Sequence, residues 1–291
     1  MTHDSFHDHR DLLEEVERCA YCRSERKRPI LARNGLRIVK CLDCGLAYTD
    51  RRWNRRGAEL YYQEGYFTGQ VPGAYASYTS EKTEKLIDFD YKYRHLKRFA
   101  SGGRLLDVGC ATGFSLLAAR SHGYEPEGID LSQWAVGKNE TELTIRRQDL
   151  TEMDGEGQYD SISMWDVIEH FLDPETCFAK LNELLRPGGR LILTYPDPTS
   201  WMARLLGRRW PVFVPEEHTF FYPRRLLAKW LRRFGFERLH ECHEKRYFTV
   251  SKLAQKILPA AEGPLHRLGL GGRIVSCRIP YKRMAVYAKV N

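Results

Sequence analysis

The sequence predicts an α/β chain built on a parallel sheet, with a small cysteine-rich module ahead of it. Three observations predict this. Leu105-Leu106-Asp107-Val108-Gly109-Cys110-Ala111-Thr112-Gly113 reads as an apolar strand that ends in an acid, a glycine-rich turn and a helix start. Further strand-like segments follow in order and close on acids at Asp130, Asp149 and Asp166. Two Cys-x-x-Cys pairs, Cys19/Cys22 and Cys41/Cys44, stand before all of them.

Each element can be justified in turn. Residues 1–18 form a polar, His-rich tail with no evident chemistry. Residues 19–50 have the spacing of a tetrahedral structural zinc site. Four thiolates fill the ion completely, so such a site is structural and not catalytic. Two disulfides are the alternative, but nothing in the chain suggests an oxidising compartment. The other cysteines, Cys110, Cys177, Cys242 and Cys277, read as small core residues or neutral fillers. Residues 51–80 carry Tyr61, Tyr62, Tyr66, Phe67, Tyr75 and Tyr78, which suit a lid or, preferably, glue between the module and the core. Lys82 to Phe99 has helical spacing through Leu86, Phe89, Tyr93 and Leu96.

The first strand then delivers its backbone to a nucleotide-like ligand. Ala111 replaces the second glycine of a dinucleotide fingerprint, and Asp107 would repel phosphates. A carboxylate there suits a cationic ligand, such as the sulfonium and amino acid end of S-adenosyl-L-methionine. A second strand, Glu127 to Asp130, offers a bidentate acceptor for ribose hydroxyls, and Ile145 to Leu150 places Asp149 where it could accept from an adenine amino group. The bland alternative for each acid is a helix cap or a solvated charge. Tyr159 to Asp166 is a fourth strand. Asp173-Pro174 starts a helix with Phe178, Leu181, Leu184 and Leu185 on one face. Pro187-Gly188-Gly189 stops it, and Arg190 to Tyr195 is a fifth strand.

From about Gly103 to Tyr195 the chain resembles the Rossmann-like S-adenosylmethionine-dependent methyltransferases, of the ubiquinone-biosynthesis type in its core. The residues that carry the resemblance are "LLDVGCATG", "GIDLS", "RQDL", "YDSISMWDVIEHFLDP" and "LRPGGRLILTYP". It departs at Ala111, where the family usually has glycine. The resemblance implies a seven-stranded, mostly parallel sheet with helices on both faces and an antiparallel last strand. Phe236 to Val250 and Met284 to Val290 would supply the final two strands. It places the cofactor against Asp107, Gly109, Cys110, Ala111, Gly113, Asp130, Leu131, Asp149, Leu150 and Trp165. Residues 19–50 resemble small zinc ribbons ahead of such cores in bacterial glycan and natural-product pathways, and residues 101–291 would form the methyltransferase domain.

Methyl transfer releases a neutral thioether, so chemistry is needed mainly at the acceptor. Asp166, Glu169 and His170 lie at i, i+3 and i+4, one helical turn, and His218 could close over them. One reading makes His170 or His218 a general base oriented by a carboxylate. Another makes all four ligands of a second divalent ion that acidifies the acceptor hydroxyl. The bland reading is that Glu169 and His170 only cap and bridge the helix. Ubiquinone-pathway O-methyltransferases carry a similar acid-x-x-Glu-His segment, and small-RNA 2′-O-methyltransferases pair one with a later histidine. Asp166 is one methylene shorter than the acid those families imply.

Residues 201–291 hold 19 Lys and Arg against 6 Asp and Glu. That basic third suits nucleic acid, anionic lipid or an acidic substrate, or is a solvated surface. Two insertions are expected, 197–222 and 252–276. In the first, Trp201, Met202, Leu205 and Leu206 alternate with Arg204, Arg208 and Arg209, which reads as an amphipathic core helix in preference to a peripheral membrane contact. Pro223 to Phe234 is a helix that is basic outside and apolar at Leu226, Leu227, Trp230, Leu231 and Phe234. The chain has neither a signal-peptide pattern nor an apolar run near the ~20 residues that span a bilayer, so a cytoplasmic protein is expected. The leading expectation is O-methylation of a small or glycan-like acceptor: a sugar, a lipid-linked sugar or a natural product. The alternatives are a metal-assisted RNA 2′-O-methyltransferase, an N- or C-methyltransferase of a sugar or small molecule, and a non-enzymatic scaffold.

Overall fold

A computed structural model describes residues 10–71, 78, 81–100, 102–250 and 273–290. The expectations for residues 1–9, for Tyr75 and for residues 252–272 of the second insertion lie outside the described residues.

The amino-terminal module is a sheet of four short strands, β1 (Leu13–Glu15), β2 (Lys27–Arg33), β3 (Leu36–Cys41) and β4 (Ala47–Trp53), in the order β1-β4-β3-β2. Asn34 and Gly35 join β2 to β3, both with positive φ (52° and 76°), as an Asn-Gly hairpin turn requires. The aromatic stretch forms α1 (Arg55–Tyr61) and α2 (Glu64–Thr68). Asn54 caps α1 by accepting from the Gly57 amide. The expected helix follows as α3 (Lys82–Leu96), which buries Phe89, Tyr93 and Leu96.

The core then alternates strand and helix: β5 (Gly103–Val108), α4 (Phe114–Ser121), β6 (Tyr124–Asp130), α5 (Gln133–Gly137), β7 (Ile145–Arg147), β8 (Tyr159–Trp165), α6 (Pro174–Leu184) and β9 (Leu185–Pro196). After them come α7 (Trp201–Leu206), β10 (Phe220–Phe221), α8 (Arg224–Arg233), β11 (Phe236–Thr249) and β12 (Ile274–Lys289). Seven strands form one sheet in the order β11-β12-β9-β8-β5-β6-β7. Only β12 runs against its neighbours, as expected of the last strand. Asp173 caps α6 by accepting from the amides of Glu175 and Thr176, with Pro174 in the first turn.

Four expectations need correction. β7 stops at Arg147, because Asp149 caps a 3₁₀ turn, Leu150–Glu152, and accepts from the Thr151 amide. Pro187-Gly188-Gly189 does not separate α6 from the fifth strand. It lies within β9, where the register against β8 shifts. β12 begins at Ile274, well before Met284, and its early part pairs with the end of β11. Finally, α7 is not a core helix: Ala203 is its buried residue, while Trp201 and Leu205 are 62% and 75% exposed.

The ribbon is also not a separate unit. Phe220 and Phe221 of β10 pair with Tyr48 and Ala47 of β4, so the first insertion completes the small sheet. Cys19, Val39, Cys41 and Tyr48 share one hydrophobic cluster with Ile162, Phe178 and Trp230 of the main core. The burial that stabilises the ribbon therefore comes partly from the larger domain.

Candidate functional site

A cavity of about 640 Å³ opens at the carboxyl ends of the parallel strands, where open α/β sheets bind ligands. Asp107, Gly109, Cys110, Ala111, Asp130, Leu131, Asp149, Leu150 and Trp165 all line it. Gly113 does not; its φ of 88° starts α4, and a Cβ there would meet Ile145 and Thr141. Ala111 takes φ = 50°, a left-handed conformation that favours the family's usual glycine, and bears strain of about 1 kcal/mol.

Each of the three acids already accepts hydrogen bonds from the chain. Asp130 accepts from the amides of Ala111 and Ser132, both at 2.8 Å, which locks the glycine-rich loop onto the end of β6. Burial raises its pKa against those two donors. Asp107 is fully buried, accepting from Ser163 Oγ at 2.5 Å and from the Ser115 hydroxyl. Burial pushes its pKa up to about 7, against the two serines. Asp149 accepts from Thr151 and faces the Arg55 guanidinium at 3.2 Å.

The aromatic segment does both jobs considered for it. Tyr61, Tyr66, Phe67 and Tyr78 pack with Phe89, Tyr93 and Phe114, while Tyr62, Tyr66, Phe67 and Tyr78 also wall the cavity. The other wall was not legible in the sequence. It comes from α3, through Lys85, Asp88, Phe89 and Lys92, and from the end of β11, through Arg246, Tyr247 and Phe248. Burial lowers the Lys85 pKa to about 7.

At the acceptor end, Asp166 parts from the other three residues. It sits at φ = 58° and does not begin a helical turn; the 3₁₀ turn is Ile168–His170. Its carboxylate is committed to Thr194 Oγ1 at 2.9 Å, Arg246 Nη2 at 2.7 Å and the Lys282 ammonium. Burial works against its charge, but Lys282 and Arg246 hold it well below the usual carboxylate range. Asp166 is therefore taken by two cations and lies outside the group formed by Glu169, His170 and His218. Both cations come from the basic carboxy-terminal third. Others of that third are paired internally too, Arg283 with Asp197 at 3.3 Å and Arg224 with Glu241.

Glu169, His170 and His218 do come together, each offering a ligand atom within 4.8 Å of the others. His170 Nδ1 lies 2.7 Å from the Glu217 carbonyl, and His218 Nδ1 lies 2.8 Å from the Val212 carbonyl. A carbonyl only accepts, so each Nδ1 carries the proton and each Nε2 keeps its lone pair. Tyr62 Oη lies 2.8 Å from both that carbonyl and His170 Nδ1; with its own proton given to the carbonyl, it can only accept from Nδ1. Glu169 is 1% exposed, and its Oε2 has no hydrogen-bond partner among the described residues. Burial raises the Glu169 pKa and lowers those of both histidines to about 4. His170 lines the cavity; Glu169 and His218 stand behind it.

The ribbon grips the loop that delivers His218. Arg33 holds the Glu216 carboxylate through Nε and Nη2, and Asn34 Nδ2 adds a bond of 2.7 Å. Trp53 Nε1 donates to the Glu216 carbonyl at 3.0 Å, and Thr49 Oγ1 donates to the His218 carbonyl at 2.7 Å. The Thr219 amide then bonds the Glu169 carbonyl at 2.9 Å, which ties the two halves of the cluster together.

Behind this platform, Cys19, Cys22, Cys41 and Cys44 hold their sulfurs within 4.8 Å of one another. The Cys19–Cys44 and Cys22–Cys41 separations are 3.5 Å, far beyond an S–S bond of about 2.05 Å.

Comparison with known proteins agrees with this fold. The methyltransferase domain family matches residues 78–241, more than half of the chain. A ubiquinone biosynthesis O-methyltransferase of Dechloromonas aromatica is 26% identical over 152 residues, covering 47% of this chain and 66% of that protein. Another, of Alkalilimnicola ehrlichii, is 30% identical over 118 residues, covering 36% and 47%. The chain thus spans from about half to about two thirds of the length of these relatives. The crystal structure of Burkholderia thailandensis 1,6-didemethyltoxoflavin-N1-methyltransferase, with bound 1,6-didemethyltoxoflavin and S-adenosylhomocysteine, superposes with a TM-score of 0.51 at 15% identity. That likeness covers 91% of this chain and all of the other, and it concerns the fold alone. With a single antiparallel strand in a seven-stranded sheet, and with this family match across the acid-ended strands, the chain belongs to the methyltransferase domain family, of the class I S-adenosylmethionine-dependent kind.

Proposed function

We propose that the chain transfers the methyl group of S-adenosyl-L-methionine to a hydroxyl of a small or glycan-like acceptor, with a divalent ion held by Glu169, His170 and His218. The observation that carries this reading is the convergence of two imidazoles, each tethered through Nδ1 to a backbone carbonyl, on a buried carboxylate oxygen that lacks a partner. Tethering of the second nitrogen is the usual arrangement of ligating histidines. It weighs against the base reading, because imidazoles whose pKa falls to about 4 hold a proton poorly at neutral pH. The ion would lower the pKa of an acceptor hydroxyl, and its identity among magnesium, manganese and zinc is set by more than the ligand types.

The cofactor, when bound, supplies an electrophilic methyl group and leaves as a neutral thioether. The chain has to orient both partners and hold the charges. The Gly109 and Cys110 amides donate to the Ile129 carbonyl and the Ala111 amide to Asp130, which pins the turn along the cavity, and Asp130 would accept from the ribose hydroxyls. Asp149 stands at the adenine end and Asp107 at the cationic end. Oxygen is favoured over nitrogen or carbon as the acceptor atom because the Glu169 cluster suits a group that must lose a proton.

This assignment makes a pH prediction. Asp107, with a pKa of about 7, must ionise to attract the cation. Affinity for S-adenosyl-L-methionine should therefore fall as pH drops below 7, approaching about tenfold per unit. Calorimetry at pH 6 and pH 8 measures it. Asp107→Asn should flatten the profile and weaken binding at pH 8, and an unchanged profile would remove Asp107 from this role.

We infer that the four cysteines hold structural zinc. Thiolates at about 2.3 Å from a tetrahedral ion stand about 3.8 Å apart, close to the 3.5 Å found. The set is closed and takes no part in chemistry. Its work is to support the strands that grip Glu216 and His218. Cys44→Ser should cost one zinc per chain by mass spectrometry and lower turnover more than cofactor affinity. Equal losses in both would point to general unfolding.

One observation favours an acceptor carried on lipid. Trp201 and Leu205 are exposed beside Arg204, Arg208 and Arg209, the composition of a surface that rests on an anionic bilayer. The protein should co-sediment with phosphatidylglycerol vesicles, and the pair Trp201→Ala and Leu205→Ala should weaken this by about tenfold. Equal sedimentation of variant and parent excludes the surface. No helix among the described residues is long and apolar enough to cross a membrane, and a cytoplasmic site suits four reduced thiols. An RNA acceptor is less well supported. In the ribbon, Arg23 pairs with Glu175, Arg26 with Asp43 and Lys27 with Asp50, so these cations do not form an open phosphate-binding stripe.

A further inference from the structure

We propose that His95, His240 and Cys242 bind a transition-metal ion of the zinc class at the end of the α3–β11 seam that lies away from the cavity. His95 lies near the end of α3, and His240 and Cys242 lie two apart on β11, so both point to the same face of the strand. A register shift between Arg238 and His240 precedes them, and irregularities of this kind re-aim side chains.

The distances fit one ion. His95 Nε2 and His240 Nε2 stand 3.3 Å apart, and Cys242 Sγ is 3.9 Å from His95 Nε2. Tetrahedral ligands at about 2.05 Å for nitrogen and 2.3 Å for sulfur stand about 3.3 Å and 3.6 Å apart. All three ligand atoms lie within 4.8 Å of one another, and all three residues are half-buried, which leaves a fourth position for water. Two imidazole nitrogens and one thiolate select a borderline-soft ion over magnesium or calcium. Arg98 Nη2 lies 3.0 Å from the same His95 nitrogen. Its side chain is exposed and its guanidinium lies over the Phe99 ring, 4.8 Å from the centroid, so an ion would have to displace its contact with His95.

The site would act as a clamp. α3 and β11 meet along a seam in which Thr249 Oγ1 donates to Glu84, the Tyr247 amide to Asp88, and Lys92 pairs with Glu244. The three histidine and cysteine ligands close the far end of this seam. Its near end forms a wall of the cavity, so the ion would stiffen that wall without touching it.

Cobalt(II) titration tests the proposal, since a thiolate ligand gives a charge-transfer band and the Glu169 cluster, which has no sulfur, gives none. The parent protein and Cys242→Ser are titrated side by side. The parent should show one additional thiolate–cobalt band per chain, absent from Cys242→Ser. His240→Gln should need at least about tenfold more cobalt to develop it. The same additional band should persist in His218→Ala, which separates this site from the one proposed above. Coincident spectra for the parent and Cys242→Ser, or a band undisturbed in His240→Gln, would overturn the proposal. The ribbon cysteines contribute equally to both proteins, so the comparison holds whatever they bind.

Discussion

Replacing Glu169 by glutamine should lower methyl transfer by about 10²–10⁴-fold, the loss of several kcal/mol of barrier stabilisation. The substitution keeps the shape of a side chain that is 1% exposed and removes the carboxylate it would offer to an ion. Cofactor affinity should hardly change, because Glu169 does not line the cavity where Asp107, Asp130 and Asp149 stand. The effect should thus fall on kcat and on acceptor KM while the cofactor Kd stays put. Chelation should abolish activity in parent protein, with recovery on adding a divalent ion, and the glutamine variant should show little recovery. Activity that resists exhaustive chelation would sink the metal reading. A kcat of Glu169→Gln within threefold of the parent, by an assay with labelled cofactor, would remove Glu169 from the chemistry altogether.

Lys92→Met should destabilise the fold by about 3–5 kcal/mol. Lys92 Nζ lies 2.7 Å from Glu244 Oε1, with side chains 5% and 0% exposed. Removing one partner leaves a carboxylate deep in the protein. Arg246, at 3.3 Å from the other Glu244 oxygen, compensates only partly because it is shared with Asp166 at 2.7 Å. The double variant Lys92→Met with Glu244→Leu should recover most of the loss, since two apolar groups need no solvation. Urea unfolding followed by circular dichroism measures all three. A single-variant loss below about 1 kcal/mol would mean that water reaches the pair. The network also has a pH signature. Burial opposes the Glu244 charge, yet Arg246 and Lys92 lower its pKa below the ordinary value. A carboxylate with a lowered folded pKa contributes stability above its unfolded pKa and loses it as pH falls through the folded one. The Lys92→Met protein should therefore lose less stability on acidification than the parent does.

This network explains why part of the site was hidden in the sequence. Asp166, Glu169 and His170 look like one constellation because their spacing is local. Asp166 leaves it because Lys282 and Arg246 reach it from β12 and β11, and no spacing rule brings together residues 116 and 80 positions apart. The wall formed by Lys85, Asp88 and Lys92 was hidden for a similar reason. These residues share α3 with Phe89 and Tyr93, and helical periodicity identifies the apolar face without saying what the polar face meets. Cys242 read as a neutral filler because His95, which completes its cluster with His240, lies on another element, α3. Trp201 and Leu205 read as core because apolar spacing on a short helix does not reveal whether anything covers it.

The sequence by itself determined the alternation of strands and helices, the glycine-rich turn, the acids Asp107 and Asp130 at the ends of the first two core strands, and the grouping of the ribbon cysteines. These follow from interactions within a few residues: backbone sterics, capping, periodic burial and ligand spacing. Only the tertiary structure decided which charges neutralise one another, that β10 joins the ribbon to the insertion, and that His218 arrives beside Glu169. Those outcomes depend on burial, where an ion pair or an orphaned carboxylate is worth several times its value in water, and burial is a property of the assembled chain.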